Sequence, residues 1–479
     1  MRRGEARFVL VVCLALAGCA PSLPRAASRD RTHSANPFFS SPFTVKTNGF
    51  TFGQDPSWTA DGRVLSNEVD RSGTKQVYVS HVDGSDMKCL TCGQPGPNAF
   101  PQERPQGDWI LFCSWRGQHV TFGSPCLGGF GTDLYVMRPD GTDVTRLTMP
   151  GTSFEHAGVV FDNYHPSWSP DGKHVVWTHL NFVDAAAGGT QWTMLLADFV
   201  TKGGPPRLEN IRVVGNGGNT AYETHVWAPD GTGFLYTLFT SAGDPAAGWL
   251  NTELYFMRLY GQGATPEHPR TTHLTDNNAG WDEQAVFTPD MRNVVWMSSR
   301  AAPTWYQMVV TAAQQTGFSP PMQNHVAGPM FVLSVLDPHF RTDLYELDLS
   351  TRAIRRLTAL DSVVPEFYFD RSGTRLLWSN GIGSRSTMIG EFALASKPEG
   401  VHPSIPPDPD WTGAPRNSRA STADASGPVP APPGPTFNAR SIPPEVLDGL
   451  TLLESQLTQL GAQLKGLPQG ASCCHSPAG

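Results

Sequence analysis

Two histidines and several acidic side chains gather at or beside one recurring place in this chain, three residues ahead of a tryptophan or phenylalanine that leads into a turn. Asp55, His165, Thr224, Gln284 and Glu366 hold that place, and Glu223, His225, Asp282 and Glu283 flank it. Carboxylates and imidazoles gathered about one axis can bind a divalent cation, or a cationic or sugar-like ligand. The same residue types also line water-filled channels with no ligand role. A metal needs convergent donors at close range, which spacing alone does not supply.

Cysteine is the second candidate chemistry. Cys89-Leu-Thr-Cys92 is not a haem attachment site, because Gly93 stands where His is required. With Cys113 and Cys126 it could form a four-thiolate zinc site, but a secreted context favours disulfides. An i,i+3 pair on an extended strand is about 10 Å apart, beyond the reach of a disulfide unless a turn intervenes. The expected bond is therefore Cys113 to Cys126, with Cys89 to Cys92 the second pair. Cys473, Cys474 and His475 lie in an expected exposed tail, without an assigned role.

The elements that would position these groups are short hairpins. Tyr164 to Thr178 reads as an apolar strand, a Pro-Asp-Gly turn and an alternating β-branched strand. Copies recur at Asp55 to Gly62, His225 to Gly231, Ala285 to Asp290 and Phe367 to Gly373, with a degraded one at Phe100 to Gly107, six in all. Downstream stand Gln76-Val-Tyr78, Asp133-Leu-Tyr135, Glu253-Leu-Tyr255 and Asp343-Leu-Tyr345. Leu90-Thr91, Arg146-Leu-Thr148, His273-Leu-Thr275 and Arg356-Leu-Thr358 then close most units. Four strands per unit, repeated around an axis, predict an all-β, six-bladed β-propeller, since a lone four-stranded sheet cannot bury both faces. Gly 48 and Pro 42 in 479 residues agree with a turn-rich chain, and 13 Trp with 25 Phe supply a core.

Pro-x-Trp-Ser-Pro-Asp-Gly followed by Asp-Leu-Tyr and Arg-Leu-Thr resembles the TolB-like propeller repeat, a relative of WD-type repeats, and Pro166 to Gly172 matches it at each residue. The resemblance covers about Phe43 to Leu394. It implies a binding platform, a scaffold, or the lid of a prolyl-peptidase-like hydrolase; some similar propellers are metal-dependent lyases. No Gly-x-Ser-x-Gly and too few residues after the propeller argue against a peptidase.

Strand direction adds a prediction. If each first strand runs toward its Asp-Gly turn, every second-to-third and blade-to-blade connection leaves from the other end. The long segments Arg116 to Gly131, Asn181 to Gln191, Ser241 to Leu250 and Ala301 to Phe340 are all of this kind. The sixth unit lacks a fourth strand, which Phe43 to Val45 or Gly49 to Phe52 is expected to provide.

The flanks differ in composition. Residues 1–18 read as a secretory signal ending in Leu16-Ala17-Gly18 before Cys19, which resembles a bacterial lipobox with Cys19 lipidated. In a Gram-negative cell, Ala20 in place of the Asp that would resemble an inner-membrane retention signal favours the outer membrane, facing the periplasm or the cell surface. Residues 19–42 form a tether, 43–396 the propeller, 397–441 a Pro-rich disordered linker, 442–467 an amphipathic heptad helix and 468–479 a tail. That helix could self-associate, dock on a partner or pack back on the propeller. The net charge of -8, with no basic cluster beyond the N-terminus, excludes nucleic acid as the expected partner. The expected function is an envelope lipoprotein that binds a protein or a glycan without catalysis or an obligatory cofactor, membrane contact being through the lipid alone. The alternative is a metal-dependent, lyase-like carbohydrate-active enzyme using a divalent cation in the channel.

Overall fold

The computed structural model describes residues 36–47, 54–71, 74–116, 132–148, 161–184, 189–218, 222–239, 252–275, 281–301, 342–360, 366–380 and 386–394. The leader, Cys19, Cys126, the Pro-rich linker, the heptad segment and the Cys-Cys-His tail lie outside them.

Six four-stranded antiparallel sheets form the ring. Their innermost strands are Gln54–Trp58, Asn98–Glu103, Phe161–Trp168, Tyr222–Trp227, Asp282–Phe287 and Phe367–Phe369, in blades 1 to 6. The turn after each first strand follows from its own residues. In blade 3 Gly172 N donates to Ser169 O at 2.8 Å, and Asp171 Oδ1 accepts from Ser169 Oγ at 2.7 Å and from Lys173 N at 3.0 Å. Gly172 has φ 64°, a conformation glycine adopts without a Cβ clash.

The second hallmark is a side-chain lock between third and fourth strands. Thr148 Oγ1 donates to Asp133 Oδ1 at 2.8 Å and accepts from Leu134 N at 2.9 Å, while Arg146 pairs with Asp133 Oδ2. Thr358, Asp343, Leu344 and Arg356 repeat this in blade 5, and Thr275, Glu253 and Leu254 in blade 4. Blade 1 uses a neutral acceptor: Thr91 Oγ1 donates to Gln76 Oε1 at 2.5 Å. The acid and threonine are thus selected together, because each satisfies a polar group the sheet would otherwise bury.

Large side chains fill the spaces between blades. Trp177, Trp296 and Trp378, at one position on the second strands of blades 3, 5 and 6, are at most 1% exposed. The hallmark tryptophans tie neighbours together: Trp168 Nε1 donates to Gln102 O, Trp227 Nε1 to Ser167 O and Trp58 Nε1 to Tyr368 O, at 3.0 to 3.2 Å. The last of these crosses the junction of blades 6 and 1.

Closure follows the first of the two expected routes. Strand β1 (Phe43–Thr47) is the outer strand of blade 6, paired antiparallel with Ser386–Phe392, Phe43 opposite Phe392 and Thr47 opposite Met388. A short helix, α1 (Pro37–Ser40), precedes it, its N-terminus capped by the Asn36 side chain. Phe38 from this helix is fully buried against Phe369 and Phe392.

Candidate functional site

Toward the start of the innermost strands, five blades carry a β-bulge, four of them at the same step and blade 4 one residue later. Asp55-Pro56 opposes one residue of the next strand, as do Phe100-Pro101, His165-Pro166 and His225-Val226, and Gln284 is the extra residue in blade 5. Asp55, Phe100, His165 and Gln284 have φ between 39° and 53°, in the left-handed region. Such a bulge re-aims a side chain that a regular strand would direct along the sheet. Four unrelated residue types held in this strained conformation mark one structural position, repeated around the axis.

These residues meet neighbours across blade boundaries. Thr224 Oγ1 donates to His165 O at 2.5 Å, and Gln284 Nε2 donates to Phe367 O at 3.2 Å. The His165 and His225 rings are 6.3 Å apart, and Phe100 lies 4.7 Å from His165 on the other side. Tyr368 reaches furthest: its hydroxyl accepts from Gln102 Nε2 at 3.1 Å and donates to Glu366 Oε2 at 3.4 Å, linking blades 6 and 2 past blade 1. Asp55 accepts from Asn67 Nδ2, and Glu283 Oε2 accepts from Trp281 Nε1.

Burial dominates the electrostatics. It pushes Asp55 up to about 6, against the opposing pull of Lys75 and the Asn67 hydrogen bond. Glu223 is pushed well above the usual range by burial and then by Glu283 and Glu366, and its Oε2 is buried without a hydrogen-bond partner. Glu366 rises likewise from burial, Asp55 and Glu283. Burial takes His165 down to about 4 and, with His165 beside it, His225 well below its ordinary value. Burial therefore favours the protonated form of Glu223 and Glu366 and the neutral form of His165 and His225, states able to donate and accept hydrogen bonds. An entering cation would shift the same acids toward ionisation.

Asp282 departs from the expected ring. It lies in blade 5's own sheet, paired with Arg300 at 2.9 Å and bonded to Ser298 Oγ. Asn98 does the same in blade 2, where Arg116 Nη2 donates to it at 3.0 Å. The shared signal is Ser-x-Arg at the end of the second strand, Ser114 to Arg116 and Ser298 to Arg300. Conversely, Phe100, Gln102 and Tyr368 belong to the site and were not foreseen. Tyr368 occupies the place that is Ser in blades 1 and 3, so its size was the available clue.

Among the described residues no three His, Cys, Asp or Glu side chains stand together in a way that could hold a metal ion.

The favoured disulfide is corrected. Cys89 and Cys92 are bonded, with Cα atoms 5.6 Å apart. The strand ends at Cys89 and a turn follows, Gln94 N donating to Thr91 O at 3.0 Å, which supplies the reversal that an extended i,i+3 pair lacks. Cys113 is a free, buried thiol directed at Asn163 O at 3.6 Å, so it is not the partner of Cys126. Burial holds its pKa well above the usual thiol value, the opposite of an activated nucleophile.

No family model matches the chain. An uncharacterised protein of Agrobacterium fabrum is 29% identical over 134 residues, which are 28% of this chain and 42% of that protein. TolB of Acinetobacter baumannii is 17% identical with a TM-score of 0.38, over 69% of this chain and 62% of its own. An oligogalacturonate lyase of Vibrio parahaemolyticus is 11% identical with a TM-score of 0.39, over 73% and 97%. The chain thus spans less than half of the first and under two thirds of the second. By its own sheet order and strand register, it is a six-bladed β-propeller.

Proposed function

We propose that this chain is an envelope-anchored binding platform that engages a protein or a glycan through one end of its propeller. One observation carries the reading. Every first strand runs toward a tight turn, so the long second-to-third and blade-to-blade connections all depart from the opposite end, where the polar ring of the channel also lies. Loops on a rigid scaffold are where recognition concentrates. Lipid anchoring at Cys19 and a second contact through residues 442–467 complete the proposal from sequence. No described helix is long and apolar enough to cross a membrane.

The test is affinity capture from solubilised envelopes with the full chain and with a chain ending at Ser396. Capture by both, lost when the channel-end residues His165 and Glu366 are replaced together, supports the propeller end as the contact. Capture lost only on truncation assigns recognition to the C-terminal segment instead. Cleavage of an acidic oligosaccharide on addition of manganese would replace this reading with the lyase alternative.

A further inference from the structure

The two ends of the ring-forming chain sit together, and they sit at the tight-turn end. Asn36 Nδ2 donates at 2.8 Å to Asp348 Oδ2, which opens the turn between the third and fourth strands of blade 5. Arg355 donates to Ser41 O at 2.6 Å and to Phe38 O at 3.0 Å. On the exit side, Phe392 N donates to Thr374 O, just past the hairpin turn of blade 6, and Ala393 N to Pro42 O at 3.0 Å. Entry and exit are therefore fixed by the same antiparallel pair, Phe43 opposite Phe392. Fully buried Phe38, its ring 5.3 Å from that of Phe392, holds the entry point in the core.

We infer that the propeller stands on its membrane with the tight-turn end toward the bilayer and the loop end turned away. This rests on the reading of Cys19 as the lipid anchor. The chain from Cys19 to Asn36 reaches at most about 60 Å when extended, and as a flexible coil would average about 23 Å. A tether that short, fixed at one end of the ring, keeps that end nearer the surface. Exposed Asp61, Asp83, Lys88, Asp140, Lys173 and Lys202 give the tight-turn end a hydrated surface of mixed charge, suited to lying beside lipid headgroups without entering them. A partner of the loop end is then a molecule reached across the aqueous space rather than one embedded in the anchoring bilayer. The chain beyond Leu394 starts on the membrane side.

Energy transfer tests the orientation. A fluorescent non-canonical residue is placed at Asp83, in a tight turn, or at Arg71, exposed at the loop end of its strand. The mature chain is held on phosphatidylcholine vesicles with acceptor-labelled headgroups in two ways: by lipid at Cys19, and by an N-terminal histidine tag replacing Cys19 on nickel-chelating lipid. Transfer from position 83 should exceed that from position 71 by about twofold or more, given the tether length. Equal or reversed transfer on the tagged anchor overturns the orientation. If the tagged chain keeps the asymmetry but the native chain never joins membranes, the anchoring reading fails and the geometry survives.

Discussion

Asp162, only 3% exposed, accepts two hydrogen bonds from Thr132, through N at 2.9 Å and through Oγ1, yet burial pushes its pKa up to about 7. Its folded-state pKa lies above the unfolded value, so between about pH 4 and pH 7 the folded chain holds a proton that the unfolded chain has released. Stability from this group is present at low pH and is lost as pH rises through that window. Asp162→Asn keeps the Oδ1 acceptor without the charge. It should match the wild type near pH 4 and exceed it at pH 8 by on the order of 2 kcal/mol, seen as a flattened pH dependence in thermal melts. Equal melting shifts at both pH values would show that Asp162 is not the titrating group. At this scale the sequence was partly legible. Counting back from an aromatic residue singles out Asp55, His165, Thr224, Gln284 and Glu366, because the repeat keeps that count constant, and Glu223 and His225 enter only as neighbours of Thr224. The Asp282–Arg300 pair was not legible because Arg300 sits on another strand, and the Cys89–Cys92 bond ranked second because strand geometry was extended past the residue where the strand ends.

Among the elements, the lock between third and fourth strands explains why Asp-Leu-Tyr and Arg-Leu-Thr travel together. Thr358→Val preserves shape but leaves Leu344 N buried without its acceptor and takes one donor from Asp343. The expected loss is about 1–3 kcal/mol, measured by urea unfolding, whereas Thr358→Ser should recover most of it. If valine proved neutral, the threonine would be a packing residue and the lock incidental. Hairpins were the most legible level, because Asp-Gly turns and alternating strands are local physics. The bulges were not, because no residue type is common to Asp55, Phe100, His165 and Gln284, although all four share the left-handed backbone.

For the whole molecule, blade number and the strand that closes the ring were readable, since they follow from antiparallel pairing and the count of repeats. The segregation of long connections was readable only in part: Asn181 to Gln191, expected as a loop, is largely paired strand, because His174–Asp184 and Gly189–Val200 extend their hairpin, and the connection between Arg258 and Arg270 in blade 4 is a long one at the tight-turn end. What fixes the strap was not. Phe38 precedes the predicted propeller, yet it contributes to the core. Phe38→Ala should cost about 3–5 kcal/mol, and hydrogen exchange should show Phe43–Thr47 losing protection before the other blades. Uniform loss across the ring would mean that closure and core melt as one unit.

The outer strand of blade 6 imposes an order of events on synthesis. The earliest segment of the ring to leave the ribosome is the last to find its place: Lys46 waits for Glu391, 345 residues later. Until that late stretch arrives, five blades can assemble in sequence while the leading strand stays unpaired, a long-range wait of the kind that slows folding. A nascent chain of this design is liable to pair its early strand with the wrong edge, and a product truncated shortly before residue 386 would be an open arc with two raw ends.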